Sequence, residues 1–97
     1  MNPPTFRPEA AADIEEACRW HEARRPGLGD EFLDGVGEAL GFLGVRPESA
    51  PVVHRDVRRQ LLRRFPYGIF YGVVDGQVVV LGCFHARRDP RTWRSPR

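Results

Sequence analysis

Two stretches of helical periodicity are followed by a run that alternates. From Glu9 to Arg24, Ala10, Ile14, Ala17, Cys18 and His21 recur on one stripe, while Glu15, Glu16, Arg19 and Ala23 fall opposite. That spacing predicts an amphipathic helix over 9–24 with one covered face. Pro8 suits a first helical position, where a missing amide costs nothing. Pro26-Gly27-Leu28-Gly29 interrupts the pattern, and Asp30 is placed to cap a second helix. That helix, expected over about 31–43, carries Phe32, Val36, Ala39, Leu40 and Leu43 on one face. Its glycines, Gly35, Gly37 and Gly41, each cost about 1 kcal/mol relative to alanine, so it depends on tertiary packing. Gly37 and Gly41 share a face on which another backbone could come close. The short break between the two periodic runs makes them an antiparallel helical hairpin.

After a polar linker, Arg46 to Ala50, the period falls to two. Tyr67, Ile69, Tyr71 and Val73 alternate with Phe70, Gly72 and Val74, which predicts a strand over 67–74. Asp75-Gly76 supplies residues that tolerate positive φ, as a type I′ hairpin turn requires. The return run, Gln77 to Phe84, is β-branched and apolar on both faces and therefore reads as a central strand. Val57 to Arg64 is expected to pair with the Tyr67 strand through a turn at Phe65-Pro66, with Val52-Val53-His54 as a short strand before it. Residues 4–7, PTFR, fit an edge strand, because proline cannot donate to a ladder. The order β-α-α-β-β-β defines an α+β fold, a helical hairpin packed on one face of a small antiparallel sheet. The opposite sheet face is expected to be open and partly basic. The expected core includes Ile14, Val36, Leu40, Ile69, Val80 and Val78 or Val79. Residues 1–97 form one expected domain, with a disordered tail from about residue 94.

Composition narrows the class. A chain of 97 residues can bury roughly 60–70% of its unfolded surface without covalent staples. No apolar run approaches the ~20 residues of a membrane helix, and no signal pattern opens the chain, so a cytoplasmic location without membrane contact is expected. Cys18 and Cys83 have no metal or redox spacing and are expected to be reduced, small hydrophobes. His21, His54 and His85 are too scattered to suggest a metal site, and no cofactor is expected. The charge is divided between the halves. Residues 1–48 hold five Arg against ten Asp or Glu, net −5, while residues 49–97 hold ten Arg against three Asp, net +7. Every cation is arginine, the side chain suited to bidentate carboxylate and phosphate contacts. Such a basic half suits an anionic partner, either nucleic acid or an acidic protein segment.

Several pieces occur in a telling order: RRPGLG closing an Ala-rich first helix, EFL opening the second, then RRQLLRRFPYGIFY, VVVLGCFH and RRDPRTW. Together they resemble the RelE/ParE toxins of bacterial type II toxin–antitoxin systems, nearer to the ParE branch. The resemblance implies a toxin silenced by a cognate antitoxin, whose C-terminal segment wraps it with an amphipathic helix or an added strand. It also implies one of two activities. RelE-like members cut messenger RNA on the ribosome without a metal, and ParE-like members poison DNA gyrase.

A nuclease reading would use Arg87, which matches a cation just after the last strand, together with His85 and Arg63. Three positions depart from that branch. Gly68 stands where an arginine would follow the first Tyr of the hairpin strand, and Leu61 where a lysine would stand. Trp93 replaces a tail tyrosine, and its indole is neither an acid nor a base near neutral pH. The expected function is therefore a ParE-like gyrase inhibitor. A ribosome-dependent mRNA endonuclease is the alternative, and a decayed toxin that retains only antitoxin binding is a third. Arg59, Arg63, Arg87, Arg88, Arg91 and Trp93 are the expected partner-binding residues, the arginines supplying charge and the indole an anchor. His85 is read first as a residue that bonds a backbone carbonyl and orders the RRDP turn. His21 is expected in the core or an interface, His54 in a solvated loop or edge, and Glu15, Glu16 and Glu22 on a solvated helix face. Tyr67, Tyr71 and Phe84 could stack bases, though sheet packing accounts for them equally.

Overall fold

The hairpin forms where the turn residues demand it. In the computed structural model, which describes residues 3–87, Asp75 has φ 52° and Gly76 φ 76°. Both central residues are thus left-handed, the type I′ signature. They join β4 (Tyr67–Val74) to β5 (Gln77–His85), whose register runs from Val74↔Gln77 to Tyr67↔His85. The register slips once, where Phe70 faces Gly82 and Tyr71 faces Val80. Leu81 is the extra residue of that bulge. Ahead of the hairpin lie β1 (Thr5–Phe6), α1 (Pro8–Arg24), α2 (Leu28–Val45), β2 (Val52–His54) and β3 (Val57–Leu61).

The sheet order is β1-β5-β4-β3-β2, so β5 is an interior strand, flanked on both sides, and β1 is an edge strand, as expected. The sheet is mixed rather than wholly antiparallel: β1 runs parallel to β5, with Thr5 opposite Val79 and Phe6 opposite Val80. Both helices intervene between β1 and the remaining strands, and a long crossover leaves strand direction unconstrained by any tight turn. β3 stops at Leu61 rather than reaching Arg64. Leu62 N–H still donates to the Tyr67 carbonyl at 2.9 Å, closing the turn, while its side chain is buried beneath α2, where a Cβ at Gly35 would stand 3.5 Å from it.

Both helices cover one sheet face. Phe32, Leu43, Ile69, Tyr71 and Val80 are fully buried between the layers, each contributing about 1.5–3 kcal/mol of transfer free energy. Val36 and Val78 join this core as expected, while Ile14 and Leu40 pack against it half-buried. The opposite sheet face is not bare. Val57, Phe70, Leu81 and Phe84 form a second buried cluster there, with the Phe70 and Phe84 rings stacked at 4.1 Å. Alternation on β4 and β5 gives both faces apolar residues, so both faces are buried.

The helical hairpin also differs in its corner. α2 starts at Leu28 with Gly27 in the left-handed region at its N-cap, φ 89°. Asp30 lies inside the first turn and does not cap the helix. The cap comes from α1: the Glu22 carboxylate accepts hydrogen bonds from Gly27 N–H at 3.1 Å and Gly29 N–H at 3.0 Å. Glu22 is therefore engaged, not a member of an idle solvated face. Close helix approach occurs at Gly29 instead of Gly37 and Gly41. A Cβ on Gly29 would lie 2.9 Å from Glu22 Oε1 and 3.0 Å from the Cys18 carbonyl oxygen, whereas one on Gly37 or Gly41 would meet nothing within 4 Å. Those two glycines face solvent beside exposed Phe42 and Val45.

The bonds from Gly27 and then Gly29 hold the Glu22 carboxyl below its ordinary pKa against an opposing desolvation, and nearby Arg25 adds to them. A depressed folded pKa means a contribution present above the unfolded value and lost as pH falls through the folded one. Glu22→Gln is therefore expected to lower stability at pH 7, measured by urea unfolding, and to lose most of that deficit in acid below the carboxylate range. A deficit equal at both pH values would show that the charge of the cap is immaterial. Among the described residues, no helix is long and apolar enough to cross a membrane.

Candidate functional site

The arginines grouped in sequence do not share one task. Arg58 Nη1 donates to the carbonyls of Glu48 at 2.8 Å and Ala50 at 2.7 Å, stapling the α2–β2 linker to the sheet. The Tyr71 hydroxyl donates to the Pro47 carbonyl at 2.6 Å and holds the same linker from beneath. Arg63 turns toward α2, where it meets Glu38 at 3.5 Å, both side chains largely exposed. An exposed pair of this kind adds little stability. Arg87 is exposed in the turn after β5. Arg88, Arg91 and Trp93 lie outside the described residues.

Arg59 takes an unexpected course. It sits opposite Phe70, and Leu61 sits opposite Gly68, so Arg59 and Gly68 are diagonal neighbours on the second face of the sheet. The Arg59 stem crosses directly over Gly68, where a Cβ would stand 2.9 Å from Arg59 Cγ and 3.1 Å from Cδ. Having crossed, Arg59 Nη1 donates to the Ala86 carbonyl at 3.0 Å. Ala86 N–H in turn donates to the Pro66 carbonyl at 2.9 Å. Arg59 thus latches β3 to the residue next to Arg87, at the exit of the hairpin. Its Nε is buried without a hydrogen-bond partner among the described residues. The sequence signal for this latch was the glycine itself, since an isolated Gly in a strand marks close approach of other atoms. Of the expected set, Arg59 and Arg87 come together at Ala86, while Arg63, in the turn before β4, directs its side chain to Glu38 of α2.

His85 is exposed at the end of β5, and its Nδ1 accepts a hydrogen bond from the Arg87 backbone N–H at 3.2 Å. It orders the following turn through that amide instead of a carbonyl. With Nδ1 accepting, the neutral ring carries its proton on Nε2. His21 is buried, its Nδ1 donating to the Ala17 carbonyl at 2.6 Å. Its ring stacks on Phe32 at 4.8 Å and meets Phe65 and Tyr67 edge-on at 5.1 and 5.3 Å. These contacts make it a core residue. His54 is half-exposed in β2.

A cleft of about 290 Å³ opens between α1 and the end of the hairpin, lined by Asp13, Glu16, Trp20, Tyr67, Cys83 and His85 among others. Asp13 Oδ2 accepts the Cys83 backbone N–H at 3.2 Å. Burial, reinforced by Asp13, pushes the Cys83 thiol up to about 12. It is therefore a neutral, unreactive thiol at physiological pH. Burial also raises the Tyr67 hydroxyl, with Cys83 and Glu16 adding to it. Tyr67 and Tyr71 belong to the helix-side core, and Phe84 to the second cluster. Among the described residues, no group of three or more His, Cys, Asp or Glu side chains could hold a metal ion.

A helical hairpin on a small mixed sheet, with cations gathered where the hairpin ends, is the architecture of a small toxin of the type the sequence resembles. The chain belongs to the ParE toxin family, described as the ParE toxin of type II toxin-antitoxin system, parDE, whose family model matches residues 5–90. Among solved structures it is similar to a chain of the chromosomal ParDE TA system from P. aeruginosa, with a TM-score of 0.64 and 16% identity. The match covers 88% of this chain and 96% of that one. At that identity the likeness shows the fold. No curated protein matches the sequence.

Proposed function

We propose that this toxin arrests growth by poisoning DNA gyrase, and that a cognate antitoxin neutralises it. Family membership and the ParDE system of the similar structure support the antitoxin. The observation that carries the choice of target is the crossing of Arg59 over Gly68. Where a RelE-like nuclease would carry an arginine, this chain has the stem of Arg59 within 2.9 Å of any Cβ, so the position cannot hold a catalytic side chain. Leu61, at the place of a nuclease lysine, is an exposed apolar residue. His85 uses Nδ1 on the Arg87 amide.

In this reading Arg87, Arg88, Arg91 and Trp93 form the surface that meets gyrase, and Arg59 braces its base. Trp93→Ala is expected to abolish toxicity in a growth assay and to weaken gyrase inhibition by about 30-fold or more, the scale of a hot-spot aromatic. His85→Gln should be nearly silent, since glutamine keeps a hydrogen bond and loses only proton transfer. The deciding experiment pairs purified toxin with gyrase and supercoiling substrate, and separately with programmed ribosomes. Codon-dependent mRNA cuts lost on His85→Gln or Arg87→Ala, with gyrase unaffected, would overturn the inhibitor in favour of the nuclease.

A further inference from the structure

The outer face of α2 has no part in that reading. Phe42 and Val45 are 59% and 69% exposed there, next to Gly41, where the space a Cβ would occupy is open. Single apolar side chains are ordinary on a surface. These two, however, line one shallow depression of about 370 Å³, with Glu38 and Arg46 completing its wall. Helical spacing explains the grouping. Glu38, Phe42 and Arg46 follow at intervals of four and form one ridge, and Gly41 and Val45 belong to the next. The buried residues of α2, Phe32, Val36, Ala39 and Leu43, turn the other way, so Phe42 and Val45 take no part in the core of the single chain.

Spacing and charge select the occupant. Glu38 and Arg46 stand four positions before and four positions after Phe42. A second copy laid antiparallel, with the two-fold axis at Phe42, therefore sets each Glu38 opposite the other copy's Arg46, and one symmetric contact makes both ion pairs. A parallel copy would set like charges together. The antiparallel arrangement also keeps the acidic starts of the two helices apart, since Asp30, Glu31 and Asp34 all precede Glu38. At the axis each Phe42 ring meets the open backbone at Gly41 of the other copy, in the crossing of about −50° that ridges at intervals of four favour. In the single chain Glu38 faces Arg63 at 3.5 Å with both side chains exposed, a pair weak enough to give way. Arg46 enters no ion pair among the described residues. We propose that α2 is a self-association face, on which two copies of this chain pair antiparallel about Phe42 through reciprocal Glu38–Arg46 contacts. A patch of about two turns buries less than the roughly 800 Å² per partner of a stable dimer, so the association is weak and depends on concentration. This is independent of whether gyrase is the target.

The test is sedimentation of the full-length chain over a concentration series, with circular dichroism as the check on folding. The unaltered chain is expected to pass reversibly from monomer to dimer, and added salt should favour the monomer. Glu38→Arg and Arg46→Glu each set like charges opposite one another twice, and each should weaken the dimer by about tenfold or more. The double variant exchanges the two charges and restores complementarity, so it should recover most of the lost affinity. Phe42→Ser, at an exposed position, should abolish the dimer. A chain that stays monomeric at every concentration would overturn the proposal, as would a folded double variant no more dimeric than either single one. A dimer indifferent to Phe42→Ser would place the contact elsewhere and overturn it too. Should a variant fail to fold, the Gly41 and Val45 amides of the unaltered chain decide by ¹⁵N NMR. They are expected to shift with protein concentration, and shifts that appear only on adding a different protein would assign the face to that partner instead.

Discussion

Phe32→Ala is expected to lower the free energy of unfolding by about 3–5 kcal/mol, the range for removing a fully buried phenylalanine. Phe32 is completely inaccessible to solvent. It joins four parts of the chain: its ring stacks on His21 of α1 and meets Phe65 and Tyr67 edge-on at 5.3 and 5.2 Å. Truncation would open a cavity bounded by rigid rings, two of them on the sheet side, which cannot collapse into it cheaply. It would also strip one face from His21, whose Nδ1–H bond to Ala17 keeps the imidazole from following the lost contact. A domain with about 5–15 kcal/mol in total is left marginal by such a loss. Urea unfolding is the measurement. Phe32→Leu, which keeps most of the volume, should restore the greater part. A cost below about 1 kcal/mol for alanine would mean that the aromatic cluster is not packed as described.

Gly68→Ala is the second, and here the sign is informative. In an open strand the change from glycine to alanine stabilises, because it restricts the unfolded chain. At position 68 it is expected to destabilise by about 1–3 kcal/mol, as overpacking does. The new methyl would meet Cγ and Cδ of Arg59 at 2.9 and 3.1 Å. These are the root of that side chain and not its mobile tip, so Arg59 must leave its course and give up the bond to the Ala86 carbonyl. A double-mutant cycle isolates the effect. With Arg59→Ala in the background the clash is gone, and Gly68→Ala should become neutral or stabilising, a coupling of about 0.5–3 kcal/mol. Strict additivity would refute the latch. Because Arg59 braces the exit of the hairpin, the same substitution should reduce toxicity beyond what its stability cost explains.

Much of the fold was legible in short windows of sequence. The helical stripe through Ala10, Ala17 and His21, the alternation from Tyr67 to Val74 and the positive-φ pair Asp75-Gly76 each express a preference held within a few residues. Such preferences survive into the folded chain because periodicity and allowed φ do not depend on what lies across the core. The family was legible for a related reason, since its motifs are runs of neighbouring residues in a fixed order. What the sequence left open were the pairings between distant residues. Nothing near Thr5 and Phe6 states that β1 runs parallel to β5, because a crossover of two helices transmits no direction. Glu22 has the spacing of a solvated carboxylate, and only the return of the chain at Gly27 places two amides before it. Arg58, Arg59 and Arg63 look equivalent in RRQLLR, yet alternation sends neighbours to opposite faces, where one meets linker carbonyls, one Ala86 and one Glu38. Local sequence determined which elements exist and which face each would bury. Tertiary structure alone decided the partner of each polar group, because a hydrogen bond or an ion pair depends on distances of a few ångströms that only the assembled layers set.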